Sequence, residues 1–431
     1  MLAFILVILI FMVFVFLGVP VVYCFILAGA IYIKFFVTVP VQMNVLASRG
    51  ISIVANSYTI LAVPLFILCA QLMNKSGMTK RLVGAAVAIV GHIPGGLGHA
   101  VVLANVGMAG MSGSATADAA GIGKAMIPAL RASGFSAPRA AALSAAAATM
   151  GPIIPPSIAL AIYSSLSDAS LGRLLLGGVV PGLLMAVFLM GQLFLSPSGR
   201  AIKREPFNLR RALRACRDGV LSLIMPLVIL GGMFSGYYTP TEGAAVAVIY
   251  AIVVGGLFYR TLTPKDLWKA LLETSVLSGA IMLVVMGANA LSWMLIADGI
   301  GKTLSPVFLF LGHRPAFVML SVTLIVVILG TCVEEVTMLI LLTPILVPLV
   351  LPLGVDPIQF GIVFVLGTML GLIMPPIGIS MIVTCRIARI TTGQFARAIV
   401  GPYVTLLVVV VLMCFIPDIV LWLPNHLLPN A

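Results

Sequence analysis

Two apolar runs limit what this chain can become: "MLAFILVILIFMVFVFLGVPVVYCFILAGAIYI" opens it and "LLVVVVLMCFIPDIVLWL" lies near its end. Neither fits a soluble core, because about 20 consecutive apolar residues is the length that crosses the ~30 Å hydrocarbon layer of a bilayer. A signal peptide would account for one run at the N terminus, and not for runs that continue to the other end. Of the 431 residues, 61% are hydrophobic and 8% charged, which leaves no appended soluble domain to expect. The chain reads as an all-α integral membrane protein in contact with the lipid bilayer along its length.

The net charge of +12 suggests an acidic partner until its distribution is seen. Seven of the 24 Lys and Arg residues fall in "RAIKREPFNLRRALRACR", 200–217. Such a block marks a cytoplasmic segment and reads as an amphipathic connector, 200–218, lying on the membrane surface; no nucleic acid is implied. Six cysteines are scattered without metal or redox spacing and read as packing residues.

A shift of 220 positions superposes Pro20 on Pro240, Gly110 on Gly330, Pro128 on Pro348, Gly134 on Gly354 and Gly151 on Gly371. It also lays "GPIIPP" (151–156) on "GLIMPP" (371–376). Gly and Pro are the residues least replaceable where backbone bends, so their register outweighs matched Leu and Val. Five crossings are expected in the first half, near 2–18, 20–37, 53–74, 139–167 and 174–196. An odd number inverts the second half, which gives about ten transmembrane spans in two inverted repeats, 1–199 and 219–431. Residues 98–131 and 316–351 are left as re-entrant hairpins, broken at "SGSAT" and "TCVEEVT", with first-hairpin arms of about 14–16 residues, short of a full crossing. Residues 139–167 and 358–387 are helices broken at Pro-Pro. With the connector inside, 19 basic residues fall in the cytoplasm and Lys34, Arg49, Arg173, Lys302 and Arg314 outside.

Broken helices at membrane depth expose carbonyls and helix N-termini together, the polarities that hold sodium and an anionic group. The first candidate sodium site combines Ser112, Ser114 and Thr116 with Gly151, Ile154 and Pro156. The second combines Thr331, Glu334 and Thr337 with Gly371, Met374 and Pro376. Ser114, Ser157 and Gly378, at half-helix starts, are candidates to face a substrate carboxylate. Two readings are open for Asp118: a functional ionisable group, or a helix-interior hydrogen bond that stabilises the hairpin. Glu335 is expected to reach the periplasmic water.

The stretches "SGSATADAAGIGKAMIPAL", "GPIIPPSI", "YTPTEGAAV" and "PILVPLVLPLGVDPIQFGIVFVLGTMLGLIMPPIG" resemble the large membrane subunit of tripartite ATP-independent periplasmic (TRAP) transporters, of the ion transporter superfamily. The resemblance covers essentially the whole chain. It implies uptake of a small organic anion across the bacterial inner membrane, driven by a sodium gradient and by an elevator movement, with no organic cofactor; the repeat symmetry suggests at least two sodium sites. It also implies two partners, a small four-helix membrane subunit and a periplasmic substrate-binding protein. In "CVEEVT" the chain departs from the family pattern of a single acid, and Glu334 is preferred to Glu335. Glu242 in "TPTEG" suits the opening of a scaffold helix.

The main alternative is a stand-alone inverted-repeat symporter, since hairpins and Pro-Pro breaks belong to the wider class. A remote one is an intramembrane serine protease, suggested by "GMSG" at 110–113. That chemistry needs a histidine base beside Ser112, and His99 lies on the same helical arm about 20 Å away. His92, His313 and His426 are placed at loops or the terminus, and Asp298 has no partner aspartate for an aspartyl mechanism.

Overall fold

Every regular element among the described residues is helical, the outcome expected where lipid offers backbone groups no hydrogen bonds. The computed structural model describes residues 2–35, 43–196, 208–297 and 314–428. Leu171–Leu195, Ala212–Phe234, Pro240–Phe258, Pro264–Trp293, Glu335–Leu353 and Thr392–Phe415 are each long and apolar enough to cross a bilayer. A bent pair, Ser48–Asn56 and Thr59–Lys75, meeting at 73°, can serve as a seventh. The expected ten crossings are therefore not ten single helices. The remainder is built from apolar pieces of 10–17 residues such as Val21–Phe35 and Ile158–Ser167, and a ten-residue helix rises only about 15 Å.

Three elements differ from the sequence reading. The expected 53–74 span is bent beside Ser57 and Tyr58, between Met43–Asn56 and Ala62–Lys75. A further short helix, Met78–Val90, lies where no element was expected and buries Met78, Leu82, Ala85 and Ala86. Of the connector, 200–207 lies outside the described residues; from Leu209 the segment runs without a break into the 26-residue helix Leu209–Phe234 instead of forming a separate surface helix.

Helix starts recur along the chain. Gly96, Ala115, Ala137, Ile158 and Leu171 open helices in the first half, and Pro315, Glu335, Pro357, Ile379 and Thr392 open helices 219 to 221 positions later. The first hairpin is Gly96–Ser112 with Ala115–Ala132, and the second is Pro315–Gly330 with Glu335–Val350. A 3-10 turn extends the last arm to Leu353, so it is longer than the first hairpin's arms were expected to be, yet 67% of its apolar window is buried inside the protein. The first broken helix is Ala137–Ala148 with Ile158–Ser167, and the second is Pro357–Leu372 with Ile379–Ala388.

These pieces pack crosswise. The half-helix Ile379–Ala388 lies on the first hairpin's Ala115–Ala132, and Ile158–Ser167 lies on the second hairpin's Glu335–Val350. Tyr163 fastens the crossing: its hydroxyl donates to the Pro357 carbonyl at 2.8 Å, and its ring faces Phe360 and Phe364 with centroids 6.4 Å away. A Cβ at Gly361 would overlap that ring, so glycine makes room for it.

Glu242 opens its helix as expected. Thr239 Oγ1 accepts from Glu242 N at 3.3 Å, and Glu242 Oε2 accepts from Thr239 N at 2.7 Å, closing a capping box before Pro240–Val253. Thr239→Ala is expected to cost about 1 kcal/mol of stability, read as a lower melting temperature in detergent, with uptake retained.

Candidate functional site

The first hairpin turns at Gly113, whose φ of +58° lies in the left-handed region open to glycine. A Cβ there would stand 3.0 Å from the Pro156 carbonyl oxygen and 3.1 Å from Ile158 N, so the hairpin tip rests directly on the first break. Ser112 Oγ donates to Asp118 Oδ1. Ser114 N donates to Ser112 Oγ at 3.4 Å, and the hydroxyls of Ser114 and Thr116 are 3.2 Å apart. Gly151 comes up against the same group. A Cβ on it would lie 2.5 Å from Asp118 Oδ2 and 3.3 Å from the Ser114 carbonyl carbon.

Ser112, Ser114, Thr116, Gly151 and Pro156 are thus brought together. Ile154, a candidate through its carbonyl, turns its side chain toward Gly182 of Leu171–Leu195. Ser157 is enclosed: its Oγ donates to the Pro152 carbonyl at 2.5 Å and accepts from Leu160 N at 3.1 Å, which spends the hydroxyl on folding the break and capping the half-helix. For Asp118 the structure shows the hydrogen bond that stabilises the hairpin. One carboxylate oxygen clamps the tip; the other, Oδ2, is buried with no partner among the described residues. An unpaired buried carboxylate oxygen is costly unless a cation or proton meets it.

At the second tip the helices Pro315–Gly330 and Pro357–Leu372 cross glycine on glycine. A Cβ on Gly371 would lie 2.6 Å from the Gly330 backbone and 2.9 Å from the Val327 carbonyl oxygen. Thr331 Oγ1 donates to the Ile328 carbonyl at 2.8 Å. Glu334 caps Glu335–Val350, accepting from Val336 N at 3.1 Å and Thr337 N at 3.3 Å. A Cβ on Gly378 would stand 2.5 Å from the Leu372 carbonyl oxygen and 2.8 Å from that of Met374, so two carbonyls of the break face the start of the next half-helix. The two breaks differ in cover. Pro155 and Pro156 are buried, whereas Met374 is 37% exposed and Pro376 is open as well.

Glu335 does not reach water. It is 5% exposed, with Oε1 lacking a partner among the described residues, because its helix is pressed against Ile158–Ser167 and Pro264–Ala297. Ser380 was also missed: it is fully buried in the first turn of Ile379–Ala388 and its hydroxyl has no partner among the described residues. The signal for it is "PPIGIS", a hydroxyl two residues after the second break's glycine.

No group of three or more His, Cys, Asp or Glu gathers as for a metal centre among the described residues. The tips present hydroxyl, carboxylate and carbonyl oxygens, a donor set suited to hard cations. Ser112 is held by a carboxylate and not by an imidazole, while His99 is bonded to the Pro94 carbonyl at 3.2 Å. His313 and Asp298 lie outside the described residues. All six cysteines are unpaired.

A family model described as the DctM component of tripartite ATP-independent periplasmic transporters matches residues 8–419. The chain belongs to this family. It is 37% identical over 371 residues to the sialic acid TRAP transporter large permease protein SiaM of Vibrio cholerae, covering 86% of this chain and 87% of that one. It is 35% identical to the C4-dicarboxylate TRAP transporter large permease protein DctM of Pseudomonas aeruginosa, again over 86% and 87% of the two chains. To the 2,3-diketo-L-gulonate TRAP transporter large permease protein YiaN of Escherichia coli it is 33% identical, over 94% and 95%. In fold it is similar to the YdaH transporter of Alcanivorax borkumensis, with a TM-score of 0.67, 14% identity, and coverage of 94% and 97%. This TRAP large permease is accordingly a transporter subunit and not an enzyme, a multi-pass protein of the bacterial inner membrane.

Proposed function

We propose that this TRAP permease takes up a small organic acid in symport with sodium, by an elevator movement. It works in this reading with a small four-helix membrane subunit and a periplasmic substrate-binding protein. The observation that carries the reading is the contact of the first hairpin tip with the first break, where Ser112, Ser114, Asp118 and Gly151 converge around an unpartnered buried oxygen. Sodium is the coupling ion that an all-oxygen site at a discontinuous helix suits. The named cargoes of the three relatives, sialic acid, C4-dicarboxylates and 2,3-diketo-L-gulonate, are all organic acids, and half-helix N-termini favour a carboxylate. Hairpins and broken helices that pack together across the two halves form one body that can travel against the longer spans. The division into inverted repeats, 1–199 and 219–431, belongs to the same proposal.

The test is uptake into proteoliposomes that hold the chain with its small subunit, under an inward sodium gradient, with and without the binding protein. Uptake requiring both sodium and the binding protein is expected. Sodium-dependent uptake without the binding protein would identify a stand-alone symporter, and sodium-independent uptake would remove the coupling ion. In the same assay Ser112→Ala and Ser114→Ala are each expected to raise the sodium concentration for half-maximal uptake by roughly threefold to tenfold, the loss of one neutral hydrogen-bond-strength ligand. Unchanged sodium activation in both variants would reject the first site.

A further inference from the structure

One end of the molecule carries cations that the transport site does not use. Residues 119–167 and 357–417 contain no Asp or Glu, yet they hold Lys124, Arg131, Arg139, Arg386, Arg389 and Arg397. Two of these arginines share a cavity of about 260 Å³. It lies where the C-terminal end of Leu171–Leu195, the start of Ala137–Ala148 and the first turns of Thr392–Phe415 meet. Its polar wall includes Ser136, Arg139, Gln192 and Arg397, and its floor includes Phe135 and Leu193. Among the described residues no carboxylate lines it. Neither guanidinium has an ion-pair or hydrogen-bond partner among the described residues.

Two unpaired forks over a cavity without acids form an anion site, because a guanidinium matches phosphate oxygens in pairs. Helix Ala137–Ala148 begins here with no side-chain cap from Ser136, so its positive end adds to the field. The apolar floor separates the possible sources of the anion. A free phosphate gains nothing from Phe135 and Leu193, whereas an amphiphile does. The depth agrees: Arg139 and Arg397 lie within the first two turns of their helices, and Leu171–Leu195 and Thr392–Phe415 are spans ending at this level, where headgroups lie. The positive-inside rule puts this arginine-rich end in the cytoplasm, and basic pockets between spans on that side suit acidic headgroups.

We propose that this cavity seats the phosphodiester headgroup of an anionic phospholipid of the cytoplasmic leaflet. Arg139 and Arg397 grip the phosphate oxygens, and the glycerol end rests on Phe135 and Leu193. The lipid would then lie beside the first broken helix, outside the site of ion and solute.

The purified full-length chain in detergent, stripped of lipid, is titrated with phosphatidylglycerol, phosphatidylcholine or inorganic phosphate, and bound lipid is counted by native mass spectrometry beside the melting temperature. Phosphatidylglycerol is expected to bind and raise the melting temperature, and the other two to do neither. Arg139→Gln with Arg397→Gln should bind it roughly tenfold to thirtyfold more weakly, while Lys80→Gln, an exposed cation elsewhere, keeps wild-type binding. Should the double variant not fold, Arg397→Lys keeps the charge, loses the fork, and is expected to fall in between. Wild-type retention of phosphatidylglycerol in the arginine variants would overturn the proposal. So would equal protection by inorganic phosphate, which would make the site one for a free anion.

Discussion

Gly151→Ala is expected to cut uptake to about a fifth of wild type or less while the protein still inserts into the membrane. The new methyl group would stand 2.5 Å from Asp118 Oδ2 and 3.3 Å from the carbonyl groups of both Ala148 and Ser114. Two of these three neighbours are backbone and the third is locked to Ser112, so the hairpin tip has to lift from the break. Overpacking of this kind costs about 1–3 kcal/mol, a factor of roughly 5 to 150 in the population of the closed site. Gly191→Ala is the matched control. It sits in Leu171–Leu195 with nothing within 4 Å of its added Cβ, and should leave uptake unchanged. Full uptake by Gly151→Ala would mean that tip and break need not touch for transport.

Asp118→Asn separates the hydrogen bond seen at the tip from the proposed ion ligation by the same side chain. The amide has the carboxylate's shape, and its oxygen can still accept from the Ser112 hydroxyl, so the clamp at the tip survives. At Oδ2 a buried acceptor without a partner becomes an amide donor without one, and a cation would lose its charged ligand. The sodium requirement should therefore rise by roughly tenfold or more, the magnitude of a lost interaction with a charged group. Asp118→Ala, which removes the clamp as well, is expected to lose uptake altogether. If the asparagine variant keeps wild-type sodium activation, Asp118 is a structural clamp alone.

The tips were legible because their constraints are local. Gly110, Gly113, Gly151 and the two Pro-Pro pairs restrict backbone wherever they stand, so helices end and restart at "SGSAT" and "TCVEEVT", between Ser112 and Ala115 and between Gly330 and Glu335. Met78–Val90 escaped because Lys80 and Arg81 open it in what reads as a loop, although Met78, Leu82, Ala85 and Ala86 already mark a helical stripe. Ser57 and Tyr58 look like ordinary span residues, and the 73° bend there depends on what packs around it. The burial of Glu335 is of the same kind. Nothing in "CVEEVT" says which of two adjacent acids will be covered, since the cover comes from Pro264–Ala297 and from Ile158–Ser167, the latter some 170 positions earlier in the chain.

The Tyr163 crossing also bears on how the protein is made. Its hydroxyl bonds to a residue 194 positions later. When Ile158–Ser167 leaves the ribosome, neither the Pro357 carbonyl nor the space beside Gly361 exists. The N-terminal half must wait in the bilayer with this face unfilled, open to other chains or to chaperones, until the last third of synthesis closes it.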